Sequence, residues 1–304
     1  MVLEVKDITK KFQNNQVLHG INFSVRSGHA LGLLGRNGAG KTTTIRVIMG
    51  VYQPETGEVL LDGKKFDATN ISIGYLPEER GMYPDIKVID QLMYMAKLRG
   101  LSSKEAKKNS EYWLERFKVT EYANKLLQTL SKGNQQKVQL AQTLVSNPEV
   151  VVLDEPFSGL DPVNSQILKD VVYELIDSGK IVIFSSHQMS YVEEFCKDIV
   201  IVNKGHIVLE GDLKQIKTHY GKNKLTISAV NYTLDELYDK LKSYTNVFTE
   251  LTIAKSYLIV SLKEGKTKQD MLNILLESGV DIEAFKVYEP NLHDIFVKEV
   301  GESA

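Results

Sequence analysis

Apolar and polar residues alternate along the first part of the chain. Residues 2–5 and 21–25 carry the period of two expected of half-buried strands. Residues 30–34 form a short apolar run that ends in a glycine-rich turn over 35–40. A helix is predicted next, with Ile45, Ile48 and Met49 on one face and Gly50 as its C-terminal stop. From about 79 to 145 the period becomes helical. Ser102 with Glu105 reads as a capping box that opens a lysine-rich helix. Residues 135–145 repeat an amphipathic pattern. Residues 150–153 are a continuous apolar run, the mark of a strand buried on both faces. Leu168, Val171, Val172 and Leu175 space as a helix, and 181–185 as a second buried strand. Residues 199–202 and 207–209 flank Asn203-Lys204-Gly205 as a hairpin. Buried strands alternating with helices predict an α/β fold with a parallel sheet and crossover helices.

The chain turns polar over 218–224, with Gly221 and Asn223, and a domain boundary is placed there. The expected domains are 1–220 and 221–304. The second reads as strand (225–230), helix (234–241), strands (248–253 and 257–262), helix (269–276) and strand (282–288). This βαββαβ order predicts a small split-βαβ domain. An amphipathic helix over 292–300 follows it. The three lysines Lys104, Lys107 and Lys108 fall at helical spacing around Glu105 and read as a solvated face.

Composition narrows the class. A length of 304 residues gives a prior of two domains at roughly 150 residues each. Hydrophobic residues make up 42% and charged residues 25%, which excludes extended disorder. Lys+Arg is 37 against 39 Asp+Glu, so no whole-chain field favours nucleic acid, and no nucleic-acid partner is expected. The single cysteine, Cys196, rules out a disulfide framework or zinc ribbon and points to a reducing compartment. No apolar run approaches the ~18 residues of a membrane span. Glu4 and Asp7 stand where a signal peptide would be apolar, so none is expected.

Two motifs carry chemistry. Gly35-Arg36-Asn37-Gly38-Ala39-Gly40-Lys41-Thr42 fits G-x-x-x-x-G-K-[ST], with a strand before it and a helix after it. Backbone N–H groups there converge on phosphate oxygens, and the helix turns its positive end toward the same anion. Lys41 supplies a point charge and Thr42 a hydroxyl for Mg²⁺. Residues 150–156 are a buried strand ending in Asp154, Glu155 and Pro156. Asp154 can reach Mg²⁺ through water. Glu155, pointing the other way, can polarise an attacking water at the γ-phosphate.

With these motifs in place, residues 2 to 220 resemble the ATP-binding subunits of ABC transporters. Leu130-Ser131-Lys132-Gly133-Asn134-Gln135-Gln136 is similar to that family's signature sequence. The resemblance implies a P-loop NTPase cassette: a parallel-sheet core with an antiparallel β subdomain and a helical insert over about 79–145. It implies ATP and Mg²⁺ as ligands. Nucleotide contacts are expected from Gly35, Asn37, Gly38, Ala39, Gly40, Lys41, Thr42 and Thr43. Phe12 looks like the aromatic that stacks on adenine. His187 looks like the switch histidine at the γ-phosphate, so Lys41, Glu155 and His187 are the expected catalytic set. Ser131 and Gly133 are expected to serve the nucleotide of a second subunit packed head to tail. Ser158-Gly159-Leu160-Asp161 looks like the loop at that seam, with Asp161 among the nucleotide-binding residues.

Two departures stand out. Glu78 replaces the family's glutamine near Mg²⁺, so the expected metal set is Thr42, Asp154 and Glu78. An ionised carboxylate ligates Mg²⁺ but donates no hydrogen bond. Lys132 and Asn134 replace a glycine and a glutamine of the signature, while the serine and glycine remain.

The resemblance implies an ATPase that powers a transporter, with a second ATP-binding subunit and a membrane-spanning permease as partners. It implies a place at the cytoplasmic face of the membrane, peripheral through the permease. Residues 76–81, with 289–296, are similar to export-type bacterial subunits, closest to sodium-efflux proteins. Drug, peptide and lipid export stay open. Two rival readings are a soluble regulator of ribosomes or DNA and a non-hydrolysing module. The first calls for two cassettes or a long coiled coil, and the chain has one phosphate loop and no heptad run. The second is disfavoured by Asp154, Glu155 and His187.

Overall fold

The computed structural model of the protein describes residues 1–66, 72–78 and 81–301. The chain divides into two units, Met1–Leu213 with the residues from Glu299 onward, and Lys214–Lys298. The division falls ahead of the expected 220/221, because a helix that the polar pattern concealed, Leu213–Tyr220, lies almost wholly in the second unit.

The first unit opens with β1 (Val2–Phe12) and β2 (Asn15–Arg26), paired antiparallel. Both outrun the predicted strands. In β1, Asp7 adopts a left-handed backbone (φ 48°) and the register shifts between Val5 and Ile8. The bulge moves the buried positions from odd (Leu3, Val5) to even (Ile8), which breaks the alternation visible in the sequence. β3 (His29–Leu34) leads through the glycine-rich turn to α1 (Lys41–Ile48). β4 (Thr56–Leu61) and the two-residue β5 (Lys64–Lys65) complete a four-stranded sheet in the order β2-β1-β4-β5.

Then come β6 (Ile73–Leu76), α2 (Val88–Leu98), α3 (Ser103–Arg116) and α4 (Lys132–Leu144). These helices form the insert expected over 79–145. Ser102 and Glu105 close the predicted capping box of α3. Glu79 and Arg80, at the start of that insert and within the 76–81 run, lie outside the described residues. β7 (Val150–Asp154), α5 (Pro162–Asp177), β8 (Ile181–Ser185), α6 (Met189–Phe195), β9 (Asp198–Asn203) and β10 (His206–Asp212) follow.

A six-stranded sheet runs β10-β9-β3-β8-β7-β6. It is parallel from β6 through β9, and β10 closes the edge antiparallel as the expected hairpin. Every residue of β7 and β8 is buried. That is what a continuous apolar run means in a sheet covered on both faces. The carboxyl ends of β3, β7 and β8 therefore end together, where open α/β sheets bind ligands.

The second unit holds α7 (Leu213–Tyr220), β11 (Lys224–Ala229), α8 (Leu234–Leu241), β12 (Phe248–Ile253), β13 (Leu258–Leu262), α9 (Lys268–Glu277) and β14 (Ile282–Val287). α10 (Leu292–Val300) is the last element. From β11 to β14 the order is βαββαβ, and the antiparallel sheet runs β12-β13-β11-β14. Leu225, Ile227, Leu237, Leu258, Val260, Met271 and Leu275 build a core internal to this unit.

Candidate functional site

The phosphate loop lies between β3 and α1. Its helix starts without a side-chain cap: Gly40 occupies the N-cap with φ 112°, and no side chain accepts from the first turn. An L-residue there would be strained, and its Cβ would meet Leu18 Cδ2 at 2.8 Å. The first N–H groups of α1 are left for an external anion. Lys41 folds back over the loop, its Nζ donating to the carbonyls of Gly35 at 2.6 Å and Arg36 at 3.2 Å.

The loop is braced from an unexpected direction. The N–H of Gly205, in the β9–β10 turn, donates to Ala39 O at 2.8 Å, and His19 N donates to Gly205 O at 2.9 Å. A Cβ on Gly205 would lie 2.1 Å from Val17 O, and φ there is +77°. Only glycine fits this three-way crossing.

Asp154 ends β7 and Glu155 follows it. Both are buried. Ser185 Oγ donates to Asp154 Oδ1. Glu155 has a left-handed backbone (φ 51°) and precedes a proline, a combination disfavoured on both counts. Such a conformation costs on the order of 1–3 kcal/mol and persists only where neighbours hold it. Its N–H donates to Ser185 O at 3.0 Å. The twist turns its carboxylate to the end of β8. There His187 N donates to Oε1 at 2.7 Å, Ser186 Oγ donates to Oε2 at 3.2 Å, and His187 Nδ1 lies 2.9 Å from Oε2. The side chain of His187 is 71% exposed, so its ring reaches solvent while orienting Glu155.

These groups face one cavity of about 600 Å³. Its lining includes Asn37, Gly38, Gly40, Lys41, Thr42 and Thr43 from the loop, and Glu78, Asp154, Glu155 and His187 from the strand ends. Arg36 and Val17 also line it, and the sequence reading missed both. Val17 carries no motif; it arrives through the bulged β1–β2 pairing.

The charges are mutually tuned. Burial pushes the Lys41 ammonium below its usual value, and Asp154, Glu155 and Glu78 pull it back up. Burial pushes the Asp154 carboxyl up; the Ser185 hydroxyl opposes this, and Glu78 and Glu155 add to it. The nearby Tyr75 hydroxyl is pushed up to about 12 by burial first and then by Asp154. Acceptors thus accumulate against one lysine, an arrangement that favours an added cation. No cluster of three or more His, Cys, Asp or Glu among the described residues is arranged to hold a metal. Thr42, Asp154 and Glu78 instead offer oxygen donors to the shared cavity. That set suits Mg²⁺, which keeps waters and phosphate oxygens beside one or two protein ligands.

The remaining predicted residues lie outside the cavity lining. Gly35 and Ala39 contribute carbonyls that hold Lys41 and Gly205. Phe12 ends β1, 39% exposed, edge-on to Tyr52 with ring centroids 5.2 Å apart. Ser131 caps α4, accepting from Asn134 N at 3.4 Å, and Gly133 sits in the first turn. Asp161 caps α5, accepting from Asn164 N at 2.9 Å and Asn164 Nδ2 at 2.6 Å. Those donors, the backbone N–H first, hold its carboxyl below the usual range.

Comparison with known proteins gives a consistent result. The profile of the family described as "ABC transporter" matches residues 18–158, and that of "ATP-binding protein DrrA1-3-like, C-terminal domain" matches 211–300. An uncharacterized ABC transporter ATP-binding protein, YhaQ of Bacillus subtilis, is 41% identical over 302 residues, covering 99% of each chain. The linearmycin resistance ATP-binding protein LnrL of the same organism is 29% identical over 312 residues, again covering 99% of each. A solved structure described as the ATP binding subunit of an ABC transporter superposes with a TM-score of 0.68 at 29% identity. It covers 80% of this chain and all of its own.

Proposed function

The chain belongs to the ABC transporter family as an ATP-binding subunit, and from that premise we propose that it powers an export-type transporter as half of a head-to-tail ATP-binding dimer. Subunits of this family hydrolyse ATP and work with a membrane permease. The observation that carries the proposal is the convergence of the phosphate loop, Glu78, Asp154, Glu155 and His187 on one cavity.

In this reading the α1 amides and Lys41 bind the phosphates of ATP. Thr42, Asp154 and Glu78 would hold Mg²⁺, which would supply charge neutralisation at the phosphate oxygens. Glu155, fixed by His187 N and Ser186 Oγ, polarises the attacking water. His187 stands beside it, close to the γ-phosphate. Ser131, Gly133 and Asp161 lie outside the cavity of their own chain and serve the second subunit's nucleotide. Phe12 stacks on adenine from the end of β1.

No helix among the described residues is long and apolar enough to cross a membrane. In this reading a permease subunit supplies the membrane-spanning part, and this subunit sits peripherally at the cytoplasmic face. The lean toward export rests on the likeness of residues 211–300 to a DrrA1-3-like domain and on a full-length relative named for linearmycin resistance. Sodium, drug, peptide and lipid remain the candidate cargo classes. Lys214–Lys298, compact by itself, is read as an accessory unit.

Glu155→Gln tests the site. Turnover is expected to fall at least a hundredfold, as for loss of a general base, while ATP shifts the protein from monomer to dimer on size exclusion. Turnover equal to that of the parent would remove Glu155 from its role. Purification from a detergent extract tests the partner: a membrane protein identified by mass supports transport, and ribosomes or DNA overturn it.

A further inference from the structure

α4 presents Ser131 and Gly133 at its first turn, and one turn further in it buries Gln136, only 8% exposed. The Gln136 side-chain amide crosses to the other motif: Nε2 donates to Pro156 O at 3.3 Å. That carbonyl belongs to the residue directly after Glu155. Proline has no N–H, so hydrogen bonding can grip this residue's backbone only through its carbonyl. On the other side the turn is held by Glu155 N on Ser185 O at 3.0 Å and by Ser158 N on Glu155 O at 3.1 Å. The left-handed backbone of Glu155 aims its carboxylate at Ser186 and His187. The three bonds together keep it there.

We propose that Gln136 is a positioning residue for hydrolysis, holding the Glu155–Pro156 turn and hence the water-polarising carboxylate of its own chain. The inference rests on the dimeric ATPase reading above. Its consequence there is specific: the helix that offers Ser131 and Gly133 to a second subunit's nucleotide also sets Glu155 at home.

Gln136→Glu removes the donor at constant shape, and the new carboxylate repels Pro156 O. Gln136→Met removes it without charge and guards against misfolding. Both are expected to lower kcat for ATP about tenfold, the scale of a small misplacement of a reacting group, with KM for ATP unchanged; the buried carboxylate of Gln136→Glu also lowers the melting temperature, so the Met variant carries the kinetic comparison. A rise in KM with kcat unchanged overturns the proposal, because it would place the effect on nucleotide binding. So does an unchanged kcat in both variants.

Mixed dimers separate the two ends of α4. One copy carries the only intact Glu155, and the other carries Glu155→Gln. Gln136→Glu in the intact copy is expected to give the tenfold loss; in the other copy turnover stays within twofold. A loss that follows the other copy shows that Gln136 acts through Ser131 and Gly133, and overturns the proposal. If Glu155→Gln alone forms no ATP-dependent dimer, the dimeric reading fails, while the kcat result for the single variants still decides the role of Gln136.

Discussion

Helix α1 and helices α8 and α9 start in opposite ways. In the second unit Thr233 and Glu236 close a full capping box on α8, and Thr267 and Asp270 do the same on α9. Every side chain needed to finish those helix starts is supplied by the chain itself. In the first unit α1 begins at Gly40 with no side-chain cap. The same contrast holds for backbone strain. Among the described residues, Asn223 is the one non-glycine of the second unit with positive φ, whereas the first unit strains Glu155 at the end of the cavity-lining β7. The starts of α8 and α9 are completed by their own side chains, and the start of α1 is left open.

The contrast can be broken at its strongest point. Lys41→Ala removes the cation of the uncapped site and is expected to lower ATP turnover on the order of a hundredfold or more. Calorimetric melting of Lys214–Lys298 within the full chain should stay unchanged.

Acid sharpens the next level. The Asp154 carboxyl is held high by burial first, then by Glu78 and Glu155. In its proposed role Asp154 would have to be ionised to hold Mg²⁺, so kcat/KM is expected to fall on acidification at a higher pH than for an ordinary carboxylate. Glu78→Gln removes one of the raising charges, and the acid limb is expected to move to lower pH. A limb that stays in place would detach Glu78 from Asp154.

Thr267→Ala tests the completed start. Loss of an N-cap costs about 1 kcal/mol, which lowers the melting transition of a domain this small by roughly 4–8 °C. ATP turnover should not change.

The smallest effect is the pH response of those caps. The Thr233 donors, the backbone N–H first, hold the Glu236 carboxyl low, and those of Thr267 do the same for Asp270. A depressed carboxylate stabilises the fold above its unfolded pKa of ~4. That contribution is lost as pH falls through the folded value. Asp270→Asn should flatten the drop in melting temperature between neutral pH and pH ~3.

Much of this was legible beforehand, for physical reasons. The phosphate loop, the Asp154–Glu155 pair and Ser131 were visible because each task admits few residue types at fixed spacing. From β11 onward the second unit was read almost element by element, since β13 alternates cleanly and α8 and α9 carry their own capping boxes. The first unit resisted where the rule of alternation broke. The bulge at Asp7 hid most of β1, β4 exposes its first three residues, and β5 has only two. Arg36, Val17, Ser185 and Ser186 matter through where the fold brings them, and their residue types carry no signal in a single sequence. α7 was missed because its polar face resembles a linker.

Gly205 has a consequence of a different kind. It stands in a hairpin turn far along the chain from Gly35–Lys41, yet it bonds to both Ala39 and His19. The nucleotide pocket is thus a knot of three distant stretches. A substitution at position 205 that displaces the β9–β10 turn also displaces the Ala39 carbonyl that the turn holds.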